Sequence, residues 1–406
     1  MQENVTKIAV PCHFGLEAVL KRELSDLGFD RVATEDGRVL FDGGIAEAAL
    51  ANVHLRSAER VMIECARFRA ETYDELFEGI RAVPWEKWIP RNGRFWVRKA
   101  SSIRSRLFSP SDIQSIVKKA MVEELKGRYR ISWFPEDGPS YPFRVQIRND
   151  EVSVCLDTSG ESLHKRGYRV SPVIAPISET LAAGLLMLTP WKRGRILVDP
   201  CCGSGTFLIE AAWMAKRRAP GLTRPFLMET WENLGGERAV RMEKERAQSL
   251  ILPSAESDLQ GYDIDPRAAA FSRDNAKAAG VGGDIHFQAR ALADFSHPKH
   301  YGFLVSNPPY GERLENEKTL PELFRTFGRV YESLGDWSMY LISAYEDTEL
   351  YVGKKAAKNR KIYNGMIETR FYQYPGPKPP KRPAGTDEAP DGAAREGRDA
   401  GYGQRG

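Results

Sequence analysis

Apolar and polar residues follow two different periods along this chain, and the switch between them divides it. Near the start, Lys7 to Val10 reads as a short strand. Phe14 to Leu27 then places Leu16, Val19, Leu20, Leu24 and Leu27 on one face of a helix. Val39-Leu40-Phe41 and Arg60 to Phe68 supply further strands, with Gly43-Gly44 as a turn. Residues 1–70 thus predict a small α+β unit. In residues 71–165 the clearest helix is Pro110 to Leu125, with Ser109 at the N-cap, Pro110 at N1 and Asp112 at N3. Its buried stripe is Ile113, Ile116, Val117, Ala120, Met121 and Leu125, which leaves Lys118 and Lys119 toward the outer flank. Phe143 to Ile147 and Val152 to Leu156 read as a hairpin around Arg148-Asn149-Asp150.

From residue 166 to 375 the pattern changes to short apolar strands at 195–199, 259–263, 284–288, 301–306 and 337–343. Helices follow the first, second and fourth. Buried strands separated by helices predict an α/β class domain with a doubly wound, Rossmann-like sheet. Residues 215–258 interrupt it as a long insertion, whose charged part at 237–247 reads as an exposed helix. Lys361 to Tyr374, turning at Asn364-Gly365, predicts an antiparallel last pair of strands. Residues 376–406 are rich in Pro, Gly and charge, and predict a disordered tail.

At 406 residues the chain exceeds one ordinary domain. A composition of 42% hydrophobic and 28% charged residues fits a soluble globular protein. No run is long enough to span a bilayer, and no signal-peptide pattern opens the chain, so a cytoplasmic protein is expected. Cys12, Cys65, Cys155, Cys201 and Cys202 lack Cys-x-x-Cys spacing and His clusters, which predicts neither a metal site nor a disulfide framework. The net charge of +4 is only mildly basic; its distribution says more. Between 91 and 130 the cations include Arg98, Lys99, Arg104, Arg106, Lys118 and Lys119, interleaved with Phe95, Trp96, Phe108 and Tyr129. Only Asp112, Glu123 and Glu124 oppose them. These six cations are candidates for contacting nucleic-acid phosphates.

The most specific chemistry comes after the apolar strand Tyr301 to Val305. There Ser306-Asn307-Pro308-Pro309-Tyr310 forms a stiff elbow, because each proline fixes its own φ and extends the residue before it. Two fixed acceptors, the Asn307 amide and the Pro308 carbonyl, suit a planar exocyclic NH2 group. Holding both N–H bonds draws the nitrogen toward tetrahedral geometry and frees its lone pair. Tyr310 offers a face for a base to stack on. Upstream, Asp199-Pro200-Cys201-Cys202-Gly203-Ser204-Gly205-Thr206 joins a strand to a helix. It lacks the third glycine of the dinucleotide fingerprint, holding Leu208 there, and the Lys-Ser/Thr of a phosphate loop. Asp199 would repel a pyrophosphate and favour a cationic amino-acid group, such as that of S-adenosylmethionine. Asp263 ends the second strand, where an acid commonly grips ribose hydroxyls, and Ile264 is positioned for an adenine. Asp265 reads as a helix N-cap with Pro266 at N1.

Together these motifs resemble the THUMP-containing guanine-N2 RNA methyltransferases, most of all the bacterial large-subunit rRNA group. Pro11-Cys-His-Phe-Gly-Leu-Glu-Ala-Val-Leu-Lys-Arg-Glu-Leu24 resembles that group's start. Leu156 to Arg169 resembles the end of its THUMP domain, and Ala175 to Leu181 the beginning of its catalytic domain. The resemblance implies a ferredoxin-like unit at 1–70, a THUMP domain at 71–165, a methyltransferase domain at 166–375 and a tail at 376–406. It implies S-adenosylmethionine as donor, held by Asp199, Cys201, Gly203, Ser204, Gly205, Thr206, Asp263 and Ile264. The acceptor would be a guanine amine in structured RNA, held by Asn307, Pro308, Pro309 and Tyr310. Two alternatives keep part of this reading: a tRNA substrate, or an RNA-binding protein with a decayed catalytic site. The family usually places an aspartate after the third strand; the aligned position here is Ala291, with Asp294 three residues on.

Overall fold

The computed structural model describes residues 6–170, 176–309 and 319–380. The first strands and helices are β1 (Lys7–Pro11), α1 (Glu17–Asp26), β2 (Val32–Glu35), β3 (Arg38–Asp42), α2 (Ile45–His54) and β4 (Met62–Arg69). Next come α3 (Tyr73–Arg81), β5 (Arg94–Ile103), α4 (Pro110–Tyr129), β6 (Ser140–Arg148) and β7 (Glu151–Asp157). These strands form one seven-stranded sheet in the order β2-β3-β1-β4-β7-β6-β5. The two N-terminal units are therefore joined, through an antiparallel β4–β7 pair running from Met62↔Asp157 to Arg69↔Glu151.

β5 is absent from the sequence-based expectation, for a physical reason. A bulge between Val97 and Lys99 breaks the period-two pattern, so Phe95, Val97 and Ala100 all face the core. α4 starts as expected, with the Ser109 side chain accepting from the Asp112 amide. It runs four residues past the predicted Leu125 and stops where Arg130 takes a left-handed conformation.

The second half contains α5 (Glu179–Leu188), β8 (Leu197–Asp199), α6 (Thr206–Ala215), α7 (Gly236–Ser249), β9 (Leu259–Asp263), α8 (Pro266–Ala278), β10 (Ile285–Ala289) and β11 (Phe303–Ser306). It closes with α9 (Leu320–Leu334), β12 (Ser338–Ser343), α10 (Thr348–Val352), β13 (Lys358–Asn364) and β14 (Ile367–Tyr374). The sheet order is β10-β9-β8-β11-β12-β14-β13. The first five strands in that order are parallel, and β14 runs antiparallel to both β12 and β13. The strand order reverses at β8, between β9 and β11, and a doubly wound sheet opens its ligand crevice at such a point. The tail expected at 376–406 lies outside the described residues from 381 onward.

The insertion at 215–258 acts as a brace. Trp231, fully buried, stacks on Tyr141 of β6 at 5.3 Å and 14° and donates its indole N–H to the Ser140 carbonyl. Asn233 accepts from the Tyr141 hydroxyl and donates to the Trp88 carbonyl. α7 packs on α2, with His54 2.5 Å from Glu243. A second seam is largely buried. Arg166 lies 3.5 Å from Glu210 of α6, Tyr168 donates to the same carboxylate, and Arg166 also donates to the Arg56 carbonyl. The C-terminal sheet is thereby fixed to the N-terminal sheet along two lines.

Trp231→Ala should lower unfolding free energy by about 3–5 kcal/mol, since it deletes a buried aromatic side chain together with its stack. Trp231→Phe should cost far less. Denaturant unfolding measures both; an alanine variant within about 1 kcal/mol of the parent would show that the brace carries no load.

Candidate active site

The site lies at the carboxyl ends of β8, β9, β10 and β11, around a cavity of about 640 Å³. Backbone geometry sets its floor. After β8 the chain turns back, the Cys202 amide donating to the Tyr262 carbonyl and the Gly205 amide to the Cys202 carbonyl. Gly203 and Gly205 have φ of +53° and +77°, a region that costs most other residues strain. A Cβ on Gly205 would also meet Phe287 at 3.0 Å and Ser272 at 3.2 Å. Gly205 is thus a packing position beneath the loop, whereas Gly203, Ser204, Cys201 and Thr206 line the cavity.

Leu208 is accommodated from the other side. A Cβ on Gly261 of β9 would stand 2.7 Å from Leu208, so the close helix–strand approach rests on a glycine in the strand instead of one in the helix.

Asp263 holds the loop: one carboxylate oxygen accepts from the Gly203 amide and the other from the Asp265 amide, each at 3.0 Å. Burial raises its pKa. Ile264 beside it is 79% exposed on the cavity rim. Asp265 caps α8 as expected, accepting from the Arg267 amide, with Pro266 at N1. Ser272 and Asn275 of α8 donate to the Gly203 and Ser204 carbonyls.

Asp199 ties the loop to the elbow. Its carboxyl oxygen accepts from the Ser306 hydroxyl at 2.7 Å and from the Cys201 amide at 3.1 Å. Burial pushes its pKa up to about 7; the nearby Asp263 charge adds to the rise, and the two hydrogen bonds oppose it. Burial likewise keeps the Cys201 and Cys202 thiols protonated, so neither is a thiolate nucleophile.

Asn307 and Pro309 line the cavity wall, and Pro308 between them is buried. The Asn307 Oδ1 atom is buried and has no hydrogen-bond partner among the described residues. Tyr310, and Gly311 to Leu314 after it, lie outside the described residues. At the end of β10 the wall is Ala291, Leu292 and Ala293; Asp294 is exposed and does not line the cavity. That wall is therefore apolar where the resemblance leads one to look for an acid.

Sequence reasoning gave no role to Ser306, Ser272, Asn275 or Ile177. A serine closing an apolar strand just before the elbow was the available signal for Ser306. Ile177 reaches the cavity because Arg169, paired with Glu179 at 3.2 Å, donates to its carbonyl and to Thr206.

The six candidate cations do not form one patch. Arg98, Lys99, Arg104 and Arg106 lie along or just beyond β5, one of the two edge strands of the N-terminal sheet, and all four are exposed. Arg98 donates to the Gly160 carbonyl, and Arg106 pairs with Glu71 at 2.5 Å. Lys119 is exposed on α4, its ammonium 5.6 Å from the Phe77 ring. Lys118 departs from expectation. It turns inward, donating to the Phe95 carbonyl and sitting 3.5 Å from that ring's centre, and burial lowers its pKa. It belongs to the α4–β5 packing.

With this geometry, comparison with known proteins gives a consistent result. Successive parts of the chain match an RlmL ferredoxin-like domain at 7–62, a THUMP domain at 70–157 and an RMKL-like methyltransferase domain at 166–373. The chain belongs to the RMKL-like methyltransferase family. It is 41% identical over 365 residues to "Putative RNA methyltransferase YpsC" of Bacillus subtilis (strain 168), covering 89% of this chain and 93% of that protein. It is 34% identical over 379 residues to the ribosomal RNA large subunit methyltransferase K/L of Syntrophotalea carbinolica. That match covers 89% of this chain but spans only about half, 52%, of the K/L protein. Among solved structures, SMU.472 complexed with SAH superposes with a TM-score of 0.87 at 37% identity, covering 93% of this chain and 100% of that one.

An acid whose folded-state pKa exceeds its unfolded value favours folding while protonated. The contribution of Asp199 is therefore full below pH about 4 and is lost as pH rises to about 7. Asp199→Asn should remove this component and gain stability relative to the parent at pH 8 compared with pH 4. Urea unfolding at both pH values measures it; an equal difference at the two would contradict the shifted carboxyl.

Proposed function

We propose that the protein transfers a methyl group from S-adenosylmethionine to the exocyclic N2 of a guanosine in large-subunit rRNA. The observation that carries this reading is the buried Asn307 oxygen on the cavity wall, which has no hydrogen-bond partner among the described residues. A desolvated acceptor without a donor is costly unless a ligand completes it.

The cavity fits the cofactor. Its volume falls within the range of about 300–1,000 Å³ usual for small-molecule sites, and its lining mixes apolar walls with a few polar groups. Asp263 would hold the ribose hydroxyls, Ile264 would cover the adenine, and Cys201, Gly203, Ser204 and Thr206 would flank the methionine part. Gly205 supports the loop from below. Asp199 would draw the ligand's positive charge. The apolar wall at Ala291 to Ala293 would meet the base by packing. When bound, S-adenosylmethionine supplies an electrophilic methyl group.

Asn307 Oδ1 and the Pro308 carbonyl would accept the two N–H bonds of the guanine amine, with Pro309 fixing the elbow and Tyr310 stacking on the base. Drawn out of conjugation, the nitrogen lone pair can attack in line, and the amine proton leaves to solvent after the bond forms. Reaching this pocket requires the nucleotide to leave its stack. Arg98, Lys99, Arg104, Arg106 and Lys119 would bind phosphates along the N-terminal sheet edge, making affinity salt-dependent.

The test is methylation of rRNA and tRNA from cells lacking the gene, followed by nuclease digestion and mass analysis. N2-methylguanosine in large-subunit rRNA is expected. Label in tRNA alone, on adenine N6, or nowhere would overturn the assignment. Two physical predictions accompany it. Cationic cofactor binding beside Asp199 should release a proton, so affinity should rise between pH 6 and 8, and Asp199→Asn should lose that rise. Reversing Arg104 and Arg106 to Glu should weaken RNA binding and lower the slope of log affinity against log salt by about 2. Unchanged filter-binding isotherms would remove both from the docking surface.

A further inference from the structure

β13 is one of the two edge strands of the catalytic sheet, and it carries an unusual charge pattern. From 354 to 361 the sequence is Lys-Lys-Ala-Ala-Lys-Asn-Arg-Lys, without an acid, and all five cations are exposed. Along β13 itself, alternation sends Lys358 and Arg360 to one face of the strand and Lys361 to the other. Charged edges guard against edge-to-edge pairing, which accounts for the lysines but not for the apolar tip beyond them. The strand runs into a turn at Asn364-Gly365, with Gly365 at φ +64°. Past that turn Met366 is 97% exposed and Ile367 is 49% exposed.

The register places this tip. β11 pairs with β12 up to Ser306↔Leu341, and β12 pairs with β14 up to Ser343↔Arg370. Ile367 lies three residues beyond Arg370, so the turn projects roughly 10 Å past the end of β12, on the same sheet edge as Asn307. β14 lies two strands from β11, again roughly 10 Å.

The tip also meets the N-terminal half. Tyr363 stands edge-on to Phe14, itself 50% exposed, at 6.3 Å between centroids. A Cβ on Gly15 would touch the Lys361 carbonyl at 3.0 Å. The same loop holds His13, whose Nε2 is 3.1 Å from the Ser178 hydroxyl, one residue after the cavity-lining Ile177. Phe14, Tyr363 and Met366 thus stand beyond the carboxyl ends of the strands, on the β14 side of the active cavity and at the end of a basic ridge.

We propose that the β13–β14 hairpin is a second RNA-docking element, separate from β5. Lys358 and Arg360 bind phosphates of the strand that carries the target nucleotide, and Met366 fills the stack that nucleotide vacates. Charge complementarity selects the polyanion. An exposed, unbranched apolar side chain at a tight hairpin turn suits insertion between bases. The inference rests on the RNA reading above and extends it, because it adds phosphate contacts on the catalytic domain to those of the N-terminal sheet.

Two variants separate the parts. Lys358→Glu/Arg360→Glu alters exposed side chains only. Met366→Ala changes a nearly fully exposed one, so neither should disturb folding, and circular dichroism checks this. With deproteinised large-subunit rRNA as probe, the double charge reversal should weaken binding at least about tenfold and lower the salt slope by about 2. Met366→Ala should bind within about twofold of the parent yet slow single-turnover methyl transfer about tenfold at saturating RNA, with recovery in Met366→Leu. Unchanged RNA affinity and salt slope in the double variant would overturn the proposal even if methylation persists. So would a defect limited to self-association or protein binding. If the parent binds RNA through this hairpin but methylates none, the docking inference stands and the methyl-transfer reading falls.

Discussion

A single carboxyl group, withdrawn from water at the end of β8, sets the spacing of the whole site. Asp199 accepts from Ser306 on the elbow side and from Cys201 on the loop side. Because both bonds meet on one oxygen, the glycine loop and the Asn-Pro-Pro elbow cannot shift independently. Isolated carboxylates are expensive to bury, and this one responds by holding its proton to near neutrality. A positively charged ligand beside it would relieve that cost. The residue that fixes the geometry is therefore also the one most sensitive to what the cavity holds.

The rest of the molecule keeps this arrangement rigid and presents it to something large. One continuous sheet runs through the ferredoxin-like and THUMP units, and the 215–258 insertion clamps it to the catalytic sheet through Trp231 and Asn233. Where the two halves meet near the cavity, Glu59 lies between His13 and His164. Burial alone would raise its carboxyl pKa, but its interactions with His13, His164 and Thr180 together hold it well below the usual range. Both sheets end in a basic edge strand, β5 in one and β13 in the other. A polyanion spanning both edges is the ligand this layout matches by charge.

Much of this was legible in the residues. The order of strand, glycine turn, acidic strand end and Asn-Pro-Pro elbow carries the α/β fold, because each motif is local and constrained by proline or glycine geometry. Asp265 and Ser109 were legible as caps for the same reason. What was not legible depends on long-range pairing. β5 hid behind a bulge, and Lys118 read as outward because helical periodicity cannot tell that a carbonyl of β5 lies within its reach. The coupling of Ser306 to Asp199 joins residues 107 positions apart, and no local pattern encodes it. The role of the insertion was hidden too, since stacking of Trp231 on Tyr141 exists only after both sheets have formed.

The central claim is that the buried Asn307 oxygen receives the substrate amine while the cofactor is held independently by the loop. The most direct measurement is single-turnover methyl transfer by Asn307→Ala, paired with calorimetry of S-adenosylmethionine binding. The account predicts a fall in transfer rate of about a hundredfold or more, with cofactor affinity within about twofold of the parent. Transfer at the parent rate, or loss of cofactor binding in step with activity, would contradict it.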